Sequence, residues 1–347
     1  WSVDLFEGMN IHDLPSRAFR DVNGQVQLII SSLVGYRMIG PDLNHLKTEC
    51  NPIMSSQNSA DPALYSDTEW IAAPYTEDGT TVYAIIHDEY HGHEHSGQCP
   101  QKEYLPCWYN ALTLAVSTDG GNTYSHAATP PDHLVASLPY PYEAGAGPYG
   151  IMNPSNIIKG KDGYYYEFVK IADYKTTQQR VCLMRTQDLS DSASWRYWKG
   201  TDFNGQFPNP YKDDVTNPID YMCRPIAYDD IGVQMVESIT YNTYLNRYVL
   251  VGISAYSPEG REVWGFYYSL SNDLIHWTHR KLLVEMPLPW TVNNSGSDLS
   301  YLYPALLDPN SESRNFETTG KTAYLYYTRH NGGQGSDDIF DAFVGRE

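Results

Sequence analysis

A chain of 347 residues with 42 acidic against 23 basic side chains carries a formal charge of -19, a field that repels polyanions and excludes nucleic acid and anionic membrane surfaces as partners. Its 30 Tyr and 8 Trp fall mostly in short alternating runs, and few windows keep a helical period, so a helical bundle is excluded. No run approaches the roughly 18 apolar residues of a membrane span.

In chain order, five hairpins are predicted. The first covers 17–30 and turns at Asn23-Gly24, the second covers 70–86 and turns at Asp78-Gly79, and the third covers 156–169 and turns at Asp162-Gly163. The fourth covers 238–251 with a Leu245-Asn246 turn, and the fifth opens at 303–309 and returns at 322–327. Four of the hairpins are followed by a strand ending in an Asp-centred turn, at Asp42, Asp119, Asp188 and Asp273, with separations of 77, 69 and 85 residues. These Asp side chains are expected to bond nearby backbone amides and hold outer corners, not to do chemistry.

Five hairpin entries with a recurring turn describe an all-β fold, a five-bladed β-propeller spanning 1–347 as a single domain. Long inter-strand loops are expected at 87–109, 126–152, 198–222 and 285–302. Residues 338–344 are predicted as the late strand of the fifth blade and Trp1–Leu5 as a ring-closing strand. The rival, a two-sheet sandwich with a second β domain, would need a polar linker that the sequence lacks.

The chain starts at Trp1 with neither an initiator Met nor a signal-like segment, which reads as a processed or trimmed start. Of five Cys, Cys99 and Cys107 bracket a short loop and are expected to pair. Cys182 and Cys223 are the second expected pair, and Cys50 is left over. A secreted or periplasmic location follows as the expectation. The Asn293-Asn294-Ser295 sequon adds little to it.

In a propeller the first strand of each blade lines the centre, so the residues just before those strands gather at one mouth. They are His12-Asp13, Glu69-Trp70, Met152-Asn153, Glu237-Ser238 and Tyr301-Leu302-Tyr303. Asp13, Glu69 and Glu237 are therefore the candidate catalytic set, since neighbouring carboxyls shift one another's pKa and can divide acid and base roles. Asp13 is assigned the base or nucleophile, Glu237 the acid, and Glu69 the group that tunes or orients a partner. Each has a bland alternative, capping a turn or pairing with an Arg.

Carbohydrate is the expected partner, because sugar C–H faces stack on Tyr and Trp while hydroxyls bond polar side chains. The candidate binding residues are His12, Arg17, Trp70, His87, His91, Trp108, Asn153, Asn156, Arg224 and Tyr303. His87 and His91 come from the titratable run His87–His95 and would contact substrate or pass a proton. Trp108 would stack on a sugar, and the two Asn would offer amides. Convergence of Arg17, Arg224 and Arg329 would mark a carboxylated sugar. No His-Glu-x-x-His motif occurs, so no metal ligands are assigned. No cofactor is required, though a structural or site metal ion stays open, and oligomeric state is not readable.

Two segments resemble known families. Ser117-Thr118-Asp119-Gly120-Gly121-Asn122-Thr123-Tyr124 looks like the Asp box of sialidase-like propellers. Ser271-Asn272-Asp273-Leu274-Ile275-His276-Trp277 looks like the turn of five-bladed arabinanase, xylosidase and invertase-type glycosidases. That second resemblance implies a base from the first blade, matching Asp13, an acid Glu from a later blade, nearest to Glu237, and a modulating acid from blade two, at Glu69. The sequence departs from the pattern at the third-blade entry, which is Asn153 where an acid is common, and it lacks the Arg-Asp-Pro triplet of invertases. The leading expectation is a glycoside hydrolase working by carboxylate acid/base catalysis at the propeller mouth. The alternatives are a polysaccharide lyase using His or Tyr as base and a non-catalytic carbohydrate-binding propeller.

Overall fold

A computed structural model describes residues 13–30, 34–176, 178–257, 260–292, 299–331 and 341–346. His12, the proposed ring-closing segment Trp1–Leu5, the sequon and residues 338–340 lie outside the described residues.

Hairpin alternation dominates the described chain. The first blade has four antiparallel strands, Arg17–Arg20, Val26–Ile30, Val34–Gly40 and Lys47–Ser55. The second is built on Thr68–Tyr75, Val82–His91 and Trp108–Ser117, with Ser125–His126 and Leu134–Ala136 paired outside. In the third, Tyr149–Met152 and Ile158–Lys159 both pair with Tyr165–Asp173, followed by Gln178–Thr186 and Arg196–Tyr197. The fourth is Ser238–Asn242, Arg247–Tyr256, Val263–Ser271 and Lys281–Glu285, and the fifth Leu299–Leu307, Tyr324–Asn331 and Asp341–Arg346. The one α-helix among the described residues is the four-residue turn Tyr228–Ile231.

These strands are apolar on both faces because each sheet is sandwiched between two others. In Tyr165–Asp173, Val169 and Ile171 pack toward the second blade, while Phe168 packs toward the fourth with Ile239 and Leu250. Successive residues of a strand point to opposite faces, so one strand feeds two interfaces. The same logic sends Phe19 and Ile29 against Ile71 and Val82 of the second blade. Ala18, Val26 and Leu28 meet Ala305, Leu307 and Phe316 of the fifth. Fourth and fifth blades share Ile253, Phe266 and Tyr327. Packing thus runs from each blade to the next and from the last to the first. A small central cavity is bordered by Ser16, Arg17, Ala18, Pro74, Asn156, Ile157, Ser238, Leu306 and Leu307, segments of or beside the first strand of every blade.

The Asp turns behave as the sequence predicts. Asp119 accepts from the amides of Asn122 and Thr123 (both 3.0 Å), Asp188 from Ser190 (2.9 Å), and Asp273 from Ile275 and His276 (3.0 and 2.8 Å). Both expected disulfides, Cys99–Cys107 and Cys182–Cys223, are present, and Cys50 is free and exposed. No helix among the described residues is long and apolar enough to cross a membrane.

Three expected loops are more regular than the sequence suggests. The strand entering 87–109 runs on to His91 and the next begins at Trp108. Within 126–152, Tyr149–Met152 pairs in parallel with Trp108–Ser117, fusing second and third blades into one ten-stranded sheet. The fifth blade's first strand already begins at Leu299, inside 285–302.

Candidate active site

Because the second-blade strand continues to His91, alternation places His87, Glu89 and His91 on one face with Trp70, which is paired with His87 across the ladder. Glu89 is buried. One of its oxygens lies 2.9 Å from His91 Nε2 and accepts from the Tyr104 hydroxyl at 3.4 Å, and His87 Nδ1 stands 3.8 Å from the other. Tyr104 stacks on Trp108 at 5.0 Å between ring centres and meets His91 edge-on at 5.1 Å.

Asp13 joins this group from the first blade. Burial, reinforced by the negative charge of Glu89, pushes its carboxyl from the usual 3.8 up to about 7, against a hydrogen bond from Tyr303 that pulls the other way. That bond, Tyr303 Oη to Asp13 Oδ1, is 2.9 Å long. Tyr303 has a left-handed backbone (φ 58°) beside a strand irregularity between Leu302 and Ala305. A non-glycine residue held there is strained, a condition that clusters at functional sites. Burial and then the charge of Asp13 drive the Tyr303 phenol well above its ordinary range, and burial followed by Glu89 and Asp13 does the same to Tyr104. Both donate hydrogen bonds here, Tyr303 to Asp13 and Tyr104 to Glu89. For His91, burial alone would lower the pKa, but the bond and charge of Glu89 outweigh it and the net shift is upward. His87, buried and facing Asn110 at 2.8 Å, is shifted down by that burial.

The three predicted carboxylates occupy separate environments. Glu69 is turned to the opposite face of its strand, the face of its ladder partner Asp88, with His126 Nε2 at 2.5 Å from its Oε1. Glu237 is buried, and its Oε2 accepts from the backbone amides of Val236 (3.0 Å) and Ile253 (3.2 Å). Desolvation raises its pKa to about 7, with those amides and Lys170 opposing. The charge that acts on Asp13 is Glu89.

The remaining candidates divide by place in the fold. Arg17 is buried on the axis, donating to the carbonyls of Ala72 (3.0 Å), Pro154 (3.1 Å) and Glu237 (2.7 Å), one from each of blades two, three and four. Asn156 uses both ends of its amide on the backbone of Ile239, at 2.8 Å each, and so joins third and fourth blades. Asn153, with φ 50°, interrupts the third blade's first strand. Arg224 is exposed, its own amide bonded to Trp198 beside Arg196–Tyr197, the outermost strand of its blade. Arg17 and Arg224 therefore do not converge. What the sequence reading missed is Glu89 and Tyr104. Period-two alternation continued through His91 would have exposed Glu89, whereas Tyr104 has no local signal.

No family model and no curated protein matches the chain. Solved structures do. A structure described as a complex of BT0996 with RGII superposes with TM-score 0.53 at 11% identity, over 97% of this chain and 90% of that one. An exo-1,5-α-L-arabinanase from a bovine ruminal metagenomic library gives 0.52 at 10% identity, covering 99% and 96%. The α-L-arabinanase of Cellvibrio cellulosa complexed with arabinohexaose gives 0.51 at 9%, covering 93% and 87%. The chain spans about half the length, 55%, of a matching sucrose-6-phosphate hydrolase from Lactobacillus gasseri. At these identities the likeness establishes the fold, the five-bladed propeller that the arabinanases share.

Proposed function

We propose that the protein is a glycoside hydrolase acting on an arabinose-containing glycan at the mouth where Asp13, Glu89, His91, Tyr104 and Tyr303 meet. The observation that carries this reading is the buried cluster in which Asp13 accepts from Tyr303 close to Glu89, itself bonded by His91 and Tyr104, with burial and the Glu89 charge pushing the Asp13 carboxyl up to about 7. Two neighbouring carboxyls, one giving a proton to the leaving oxygen and the other acting on water or the sugar, are the working parts of glycosidic hydrolysis. In this reading Asp13, raised by burial, donates the proton to the leaving oxygen, the reverse of the base role expected of it from sequence, and Glu89 accepts the proton of water. Trp108 stacked with Tyr104 supplies an aromatic wall for a sugar ring. The upward shift of both tyrosines argues against a lyase that would need a phenolate base. The two disulfides support a secreted or periplasmic location.

Glu237 sustains a second reading, as acid opposite Asp13, because burial raises its carboxyl to a similar value. Activity of Asp13→Asn, Glu89→Gln and Glu237→Gln on arabinan and arabino-oligosaccharides separates the two. Loss of an acid or base costs about 10²–10⁴-fold in rate. A fall in D13N and E89Q with E237Q near wild type supports the first pair, and a fall in D13N and E237Q alone supports the second. Undiminished turnover by D13N sinks both, and an unsaturated, ultraviolet-absorbing product would replace hydrolysis with elimination.

A further inference from the structure

On the opposite face of the second blade from Asp13, Glu69, His126 and His133 each bring one ligand-type atom within 4.8 Å of the others. Glu69 comes from the blade's first strand, His126 from the short outer strand Ser125–His126, and His133 from the loop before Leu134–Ala136. Glu69 and His133 are buried, and His126 is nearly so.

The hydrogen bonding around the three is incomplete in a specific way. His133 turns Nε2 to the Tyr65 carbonyl at 3.1 Å, so that nitrogen carries the proton and Nδ1 keeps a free lone pair. Nδ1 is buried without a partner, as is Glu69 Oε2. The imidazoles of His126 and His133 lie 4.3 Å apart between ring centres. His133 Nδ1 and Glu69 Oε2 are thus buried lone pairs that face no donor, which is costly, and a cation removes the cost. The Tyr65 carbonyl does for His133 what outer partners do for metal-ligating histidines, fixing tautomer and ring orientation.

We propose that Glu69, His126 and His133 form a site for a first-row divalent transition metal, with Zn²⁺ as its ligand. Two imidazoles and one carboxylate match zinc donors and disfavour the all-oxygen shells that Ca²⁺ and Mg²⁺ require. Binding takes His126 Nε2 and Glu69 Oε1 out of their mutual hydrogen bond, and the imidazole proton moves to Nδ1 so that Nε2 offers its lone pair to the ion. The ion ties the outer strand and its following loop to the innermost strand of the blade. It stands apart from the Asp13–Glu89 pair, so its test does not depend on the proposed hydrolysis.

The test titrates the full chain, stripped with chelator and dialysed, with Co²⁺ as a spectroscopic probe and then with Zn²⁺. One equivalent of Co²⁺ should give visible bands of a low-coordinate nitrogen–oxygen site, and one equivalent of Zn²⁺ should abolish them. His126→Ala should weaken binding at least about 100-fold, and Glu69→Gln, which keeps the side chain's shape, should do likewise. Zn²⁺ should raise the melting temperature of the wild-type chain and of His93→Ala, and leave H126A unmoved. The proposal is overturned if no stoichiometric metal binds, if E69Q and H126A bind as wild type does, or if H93A is the variant that loses it.

Discussion

Replacing Asp13 with Asn should stabilise the protein, and by more at high pH than at low. The folded carboxyl titrates near 7 and the unfolded one near 3.8, so the folded chain holds an extra proton between those values. The stabilisation that proton provides is complete below pH 3.8 and is lost as the pH rises through 7. At about 1.4 kcal/mol per pH unit of difference, wild type loses roughly 1.5 kcal/mol by pH 5 and about 4 by pH 8. Asparagine cannot ionise, yet still accepts from Tyr303, so D13N escapes the loss without breaking the 2.9 Å bond. Urea denaturation of both proteins at pH 5 and pH 8 measures the change. The stability difference in favour of D13N should grow by about 2–3 kcal/mol between the two pH values, while activity falls. Relief of the Glu89 repulsion acts in the same direction. A difference that is equal at both pH values would refute the placement of a raised carboxyl at this site.

Tyr303→Phe removes the one bond that holds the Asp13 pKa down, and a hydrogen bond to a charged group is worth about 1.5–3 kcal/mol. The alkaline limb of its pH–activity profile should therefore move up by about 1–2 units, and an unmoved limb would remove Asp13 as the acid. Arg17→Met leaves three buried carbonyls from three blades without a donor and should destabilise the chain by about 3–6 kcal/mol in urea melts. A loss under 1 kcal/mol would mean the axis is held by strand packing alone. Asp273→Ala breaks an exposed outer corner and should cost about 1–2 kcal/mol with kcat unchanged, measured by melting and turnover on the same preparation.

The sequence by itself determined the repeated unit. Alternation and Asn-Gly or Asp-Gly turns are local physics, because a strand and its turn are specified by side-chain period and by φ at one or two residues. The five hairpins, the Asp corners and both cysteine pairs were legible for that reason. Sequence also brought Asp13, Trp70, His87, His91 and Trp108 under suspicion, and they do surround Glu89 or its neighbours. Only the tertiary structure decided which carboxylates meet. Glu69 is one residue from Trp70, yet the pleat turns it to the other face, toward His126 and His133. Glu237 reaches the centre, but it is occupied by backbone amides and Lys170. Arg17, which read as a substrate contact, is the axial donor for three blades. Such partners are fixed by which face of one blade is pressed against the next, a relation between residues as distant as Asp13 and Tyr303, 290 positions apart, that no local period can encode.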